Sequence, residues 1–220
     1  MSSFFPPPGR ALLRILLLAD ALFIAGHIAV TLAMQDDPGR LVQIMYGRFN
    51  ISEEHGLPEA FNYGKWVIAW VFALVALSRP GLPGVVVASA ALFIDDAAQV
   101  HEKMGGIFAD LGLPERFGID ANAQGELVGF ALLGAVVGLG LLFAFLRGDA
   151  GLRRVLLGLG GAIAGMFPCG MVADLLHGLS HGWGSVLLSE FLCIVEDGGE
   201  MVFISVYAAL VFGMFAERPY

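Results

Sequence analysis

From Leu127 to Leu146 the chain runs twenty residues without a charged or hydrogen-bonding side chain. A helix of about 20 residues covers the roughly 30 Å of a bilayer's hydrocarbon core. Inside lipid the peptide groups must satisfy one another, which a helix does within a single segment. Other apolar stretches approach the same length. The composition agrees: 57% of residues are hydrophobic and 15% charged, against about 45–50% and 25% in soluble domains. These numbers predict an all-α, polytopic transmembrane bundle, with residues 1–220 forming one integral membrane domain.

Hydropathy divides the chain into about six spans: Ala11–Met34, Lys65–Leu77, Gly84–Lys103, Gln124–Leu146, Leu152–Leu176 and Ser185–Phe215. The second is short unless it begins within Glu59–Gly64. Arg10, Arg14, Arg79, Arg147, Arg153, Arg154 and Arg218 then fall at the ends of one side. The positive-inside rule makes that side, with both termini, cytoplasmic. Gln35–Gly64 and Gly105–Ala123 are expected as acidic outer loops. Trp66, Trp70 and Trp183 lie toward the outer interface. The first apolar stretch is long and lacks a small-residue cleavage site, so no cleavable signal is expected.

Small-xxx-small spacing at Gly134/Gly138 and Gly161/Gly165 predicts close helix packing, with a dimer face as the alternative. Pro168 should kink the fifth helix. Cys169 and Cys193 read as small buried hydrophobes, and two cysteines alone do not establish a disulfide. The formal charge is −8, and no basic patch favours nucleic acid. The expected partners are membrane lipids, with a homodimer or a larger membrane complex as further associations.

Against this apolar background stand Asp95, Asp96, His101 and Glu102 on the third span, Asp174 and His177 on the fifth, and Glu196, Asp197 and Glu200 on the sixth. A carboxylate at mid-bilayer costs roughly 2.5–3.5 kcal/mol on the gentlest scale. Such groups therefore need a cation, a proton or a metal. Helical spacing places Asp95, Gln99 and Glu102 on one stripe, and Asp174, His177 and His181 on another. Glu190, Cys193, Asp197 and Glu200 form a third. Carboxylates and imidazoles from facing helices are how bundles build metal sites, and mixed O/N ligation suits iron, manganese or zinc. Plainer readings attach to some groups: a packing histidine for His27, wet interface residues for His181 and Glu190, a solvated loop residue for His55. Asp20, in the inner half of the first span, reads as a protonated or paired structural group with no evident inner-half partner.

The run Phe93-Ile94-Asp95-Asp96-Ala97-Ala98-Gln99-Val100-His101-Glu102 resembles an LDEAAxxHE stretch of uncharacterised bacterial multipass membrane proteins. Glu196-Asp197-Gly198-Gly199-Glu200-Met201 resembles their EExxEM. Asp96 and Asp197 stand where Glu is expected, and Gly198-Gly199 replaces bulkier apolar residues. The resemblance covers two short segments; it implies a common site and a bacterial inner membrane, and implies no reaction. A weaker analogy links Asp174 and His177-Gly178-Leu179-Ser180-His181 to membrane metallohydrolases such as alkaline ceramidases, whose seven spans this chain does not match.

Three functions compete. The first is an outer-leaflet metal site using carboxylates of the third and sixth spans, with His101 and His177 as nitrogen ligands, serving a hydrolase or oxidase of a lipid-like substrate. The second is an ion or proton transporter or relay. The third is a non-catalytic subunit of a respiratory or photosynthetic complex.

Overall fold

The computed structural model describes residues 6–35, 38–53, 55–116, 119–172, 176 and 186–216. These residues are overwhelmingly helical: α1 (Pro7–Ala33), α2 (Arg40–Phe49), α3 (Leu57–Val75), α4 (Leu82–Ala98), α5 (Val100–Asp110), α6 (Ala121–Arg147), α7 (Ala150–Phe167), α8 (Val186–Cys193) and α9 (Gly199–Ala216). Two π-helical turns complete the list, π1 at Pro168–Val172 and π2 at Ile194–Gly198. Among the described residues the only β feature is an isolated bridge between Arg116 and Ile119. Three helical segments are long and apolar enough to cross a membrane: Pro7–Ala33, Ala121–Arg147 and Ala150–Gly170. The α4–α5 pair passes the same test as one segment bent by 55°.

The chain divides into two compact units, residues 1–69 with 157–220, and residues 70–156. In the first, α1 and α9 run antiparallel and meet at glycine. A Cβ on Gly9 would sit 2.8 Å from the Ala209 carbonyl oxygen, and one on Gly213 would sit 3.0 Å from Pro6 Cδ. Trp66 and Tyr207, both buried, pack edge to face at 5.3 Å. π1 begins where Pro168 has no N–H to give the carbonyl four residues back, so the expected kink takes the form of a π turn. It lies against the start of α9: a Cβ on Gly199 would meet Cys169 Sγ, and one on Gly170 would meet Glu200 Oε1.

In the second unit α6 packs along both α4 and α5. Gly84 and Gly140 bring two backbones together, so that a Cβ on Gly140 would lie 2.7 Å from the Gly84 carbonyl oxygen. Gly105, Gly125 and Gly129 do the same between α5 and α6. Arg79, in the α3–α4 turn, donates to both oxygens of Asp149 in the α6–α7 turn at 2.9 and 2.8 Å. Asp149 Oδ1 also accepts the Leu152 N–H at 2.8 Å, capping α7.

Several expectations change. The helix that holds Lys65 starts earlier than the expected second span: α3 begins at Leu57, and Lys65, its ammonium paired with Asp20, lies two turns inside it. The expected outer loop Gln35–Gly64 contains α2 and the first turns of α3. The helix expected over Gly84–Lys103 is not continuous; it breaks at Gln99, a non-glycine residue at φ 48°, and a second helix, α5, runs on to Asp110. Among the described residues Gly134, Gly138 and Gly161 meet nothing within 4 Å, so no close packing of the kind their spacing predicted is seen there; of that set Gly165 packs, against Phe203. Both cysteines are free.

Candidate functional site

In the first unit, chain positions along α1 set two polar layers. The upper layer centres on His27, only 2% exposed. Its Nε2 lies 3.4 Å from Glu190 Oε2 and 3.8 Å from Cys193 Sγ. One suitable atom from each of His27, Glu190 and Cys193 falls within 4.8 Å of the others. Ser52 adds its hydroxyl, 2.8 Å from Cys193 Sγ and hydrogen-bonded to Asp197 Oδ2. Cys193 Sγ is also 3.6 Å from the same carboxylate oxygen. Since the Ser52 proton goes to Asp197, Cys193 donates to Ser52, making a chain from thiol to hydroxyl to carboxylate. The Ile51 N–H faces His27 Nδ1 at 3.4 Å.

These groups meet for local reasons. Ser52 and Ile51 sit in the break between α2 and α3, where Asn50 Oδ1 accepts the Ser52 N–H at 3.1 Å and fixes the turn. Phe49 holds α2 to α1, its ring tilted against Phe23 at 6.5 Å and close over Gly26. Glu190 and Cys193 share a face of α8 at i, i+3. π2 then adds one residue per turn. Asp197 stays on the Cys193 side while Glu200 turns toward Gly170 on π1.

About two turns earlier on α1 lies the second layer. Asp20 and Lys65, 1% and 0% exposed, form a 2.6 Å ion pair. Lys65 Nζ also donates to Asn62 Oδ1 and to the Met201 carbonyl oxygen, each at 2.9 Å, so all three protons have acceptors. Ser205 donates to the other Asp20 oxygen at 2.6 Å. This is the partner the sequence reading found missing: Lys65 reaches Asp20 because α3 begins before it. Phe23, Phe61 and Ile194 pack against a buried cluster of Ile51, Cys193 and Met201, which touches both layers.

The residues expected to hold a metal are distributed as follows. Asp95, Asp96, His101 and Glu102 belong to the second unit. There Asp95 accepts both the His101 N–H at 3.1 Å and its ring Nδ1–H at 2.9 Å. The backbone bond gives α5 the cap that its Gln99 N-cap residue does not supply. His101 stacks on Phe130 at 4.3 Å, above the space Gly129 leaves, and Glu102 lies at 3.9 Å from its Nε2. Asp96 is half-buried on α4. In a continuous helix positions 95 and 101 point to different faces; the Gln99 break brings them together. Glu196, Asp197 and Glu200 are half-buried in the first unit, and of these Asp197 joins the His27 cluster. Asp174 and His177, with His181, lie outside the described residues. Glu190, Cys193 and Ser52 were not among the expected site residues, and His27 was read first as a packing histidine; the helical stripe of Glu190, Cys193 and Asp197 was the one signal in the sequence that joined part of this cluster.

Comparison with curated proteins finds no match, and neither does comparison with solved structures. A family model described as "Domain of unknown function (DUF8692)" matches residues 15–214. That match covers nearly all of both units, including every residue of the two polar layers, and the chain belongs to this family.

Proposed function

We propose that this chain is a multipass protein of a bacterial cytoplasmic membrane that holds a divalent transition-metal ion at His27, Glu190 and Cys193. The observation that carries the reading is the spacing of the donor atoms. In a tetrahedral zinc site with usual bond lengths, nitrogen and sulfur sit about 3.5 Å apart, and nitrogen and oxygen about 3.3 Å. The corresponding separations are 3.8 and 3.4 Å. A thiolate in the set moves the preference toward zinc or ferrous iron and away from manganese. Three protein ligands leave one position for water, the arrangement of hydrolytic rather than structural zinc sites. Asp197 and Ser52 lie beside Cys193 and would be at hand to hold or take a proton from such a water, and the apolar surroundings favour a lipid-like substrate.

One contact opposes a preformed site. The Ile51 N–H makes Nδ1 the acceptor, which leaves the neutral ring's proton on Nε2. Ligation at Nε2 shifts that proton to Nδ1 and breaks the Ile51 contact. At 3.4 Å the contact is long and its loss costs little beside a metal bond.

The topology follows as six crossings: α1, α2 with α3, α4 with α5, α6, α7 and α8 with α9, both termini cytoplasmic. The Arg79–Asp149 pair supports it, since it joins two turns assigned to the cytoplasmic side. A proton relay is the poorer reading. Asp20 is closed into an ion pair, and Phe23, between Asp20 and His27 along α1, packs in an apolar cluster.

Elemental analysis of detergent-purified protein tests the site. Wild type and His101→Ala should carry one zinc or iron per chain, and His27→Ala and Cys193→Ala should lose it. Folded wild type free of metal after growth in metal-supplemented medium would sink the proposal.

A further inference from the structure

We infer that the second unit holds a separate, exchangeable site for a divalent cation of the manganese class, with His101 Nε2, Glu102 and Glu126 as ligands and Asp95 orienting the imidazole. The inference does not rest on the His27 site, which belongs to the first unit and includes a thiol.

The imidazole is set up as a ligand. Asp95 Oδ2 lies 2.9 Å from His101 Nδ1, and its Oδ1 accepts the His101 N–H at 3.1 Å. An ionised carboxylate only accepts, so Nδ1 carries the proton and the neutral ring offers its lone pair at Nε2. Asp95 is 8% exposed, and Phe130 stacks on the other side of the arrangement, its plane 23° from that of the ring. A carboxylate on the second nitrogen is the common state of a metal-bound histidine. Reaching it strains the backbone: Gln99 stands at φ 48°, a region that costs on the order of 1–3 kcal/mol for a residue with a side chain. A continuous helix would avoid that strain and would carry His101 away from Asp95.

Two more carboxylates act on the same ring, those of Glu102 and Glu126. Glu102 Oε1 lies 3.9 Å from Nε2. Glu126 comes from α6, four residues before Phe130 and on the same face of the helix. A Cβ on Gly105, one turn beyond His101, would lie 2.9 Å from Glu126 Cγ, and one on Gly129 would lie 3.0 Å from His101 Cβ. The two glycines are thus what let Glu126 and His101 approach across the α5–α6 contact. Asn122 Nδ2 donates to Glu126 Oε1 at 2.5 Å and steadies it. Lys103, at i+2 from His101, falls on the opposite side of α5.

The chemistry of this set differs from that of the His27 cluster. One imidazole with two carboxylates and no thiolate favours manganese over zinc. Neighbouring donors in an octahedral site with bonds of about 2.1 Å stand about 3 Å apart, so Glu102 has to move in by roughly 1 Å and Glu126 to turn toward Nε2. Glu102 is 51% exposed, which leaves it room to move and leaves the ion open to water. Such an ion exchanges readily and is lost on washing, unlike one held by a buried thiolate. Asp95, Glu102 and Glu126 together bring three negative charges to the edge of an apolar run that starts at Leu127. A divalent ion offsets two of them.

Dialysed protein in detergent, titrated with manganese chloride, tests the inference; free ion is read from its electron paramagnetic resonance signal. Wild type should take up one ion with a Kd below about 1 mM. Glu102→Gln, Glu126→Gln and His101→Gln should each weaken uptake at least about tenfold, and Asp95→Asn about 10–100-fold. His27→Ala should bind as wild type does. Because His101→Gln and Asp95→Asn also disturb the stack and the helix cap, the two glutamate variants decide the outcome. No saturable uptake by folded wild type, or uptake unchanged in either glutamate variant, would overturn the inference. Loss of uptake in His27→Ala would do the same, by assigning the ion to the first unit.

Discussion

Replacing Lys65 by methionine keeps most of the side chain's volume and removes its charge. Asp20 would then hold a carboxylate that is 1% exposed, with Ser205 as its remaining donor among the bonds described. The Asn62 and Met201 oxygens would lose their donor as well. Removing one partner of a buried pair costs about 3–5 kcal/mol. At about 2–4 °C per kcal/mol for a chain of this size, the midpoint falls by about 6–20 °C. The assay is loss of the monodisperse peak in fluorescence-detected size-exclusion chromatography after heating in detergent. Asp20→Asn added to Lys65→Met should recover much of the drop, because the stranded charge is gone. A single variant within about 2 °C of wild type, or a double variant no better than the single one, would refute the claim that Asp20 and Lys65 are an obligate pair at this depth.

Two further outcomes follow from the second unit. Gly84→Ala forces a Cβ into the Gly140 carbonyl and should destabilise by about 1–3 kcal/mol or more. Gly134→Ala meets nothing within 4 Å and should gain up to about 1 kcal/mol in helix propensity; thermal midpoints of the two variants should move in opposite directions. The Asp149 carboxyl is held below the usual carboxylate range, first by the Leu152 N–H and then by Arg79. Its stabilisation is therefore complete above about pH 4 and fades as pH falls through the lowered folded value. Asp149→Ala should cost about 1 kcal/mol at neutral pH, chiefly as a lost cap. The difference from wild type should shrink in acid; a pH-independent difference would show that the charge plays no part.

The fold class was legible because lipid leaves an apolar chain little choice: Leu127–Leu146 needs no tertiary information to be helical. Breaks were not. Gln99 carries no glycine or proline signal, and its left-handed turn is maintained by the Asp95 cap, a contact six residues long that helical periodicity does not anticipate. Lys65 looked like a helix start because an unpaired ammonium belongs at an interface; its partner sits 45 positions earlier. Small-residue spacing identified glycine stripes without telling which face they occupied, so Gly134 and Gly138 were favoured over Gly84 and Gly140. At the site, Asp197 was read from its helical stripe. His27 and Cys193 are individually indistinguishable from packing residues, and their meeting depends on the α2–α3 break and on π2, neither of which hydropathy encodes.

The Asp20–Lys65–Ser205 arrangement also constrains the order in which the protein can be made. Asp20 leaves the ribosome first, on a helix apolar enough to enter the membrane despite a carboxylate. Lys65 follows 45 residues later and Ser205 185 residues later. At about 5–20 residues per second, the ammonium arrives after about 2–9 s and the hydroxyl after about 9–37 s. During that interval α1 must keep its acid protonated, near the headgroups, or in the care of the insertion machinery. The ion pair can thus close early, whereas the bonds from Ser205 to Asp20 and from Lys65 to the Met201 carbonyl are among the last events of assembly, and a nascent chain arrested before α9 would carry the pair without them.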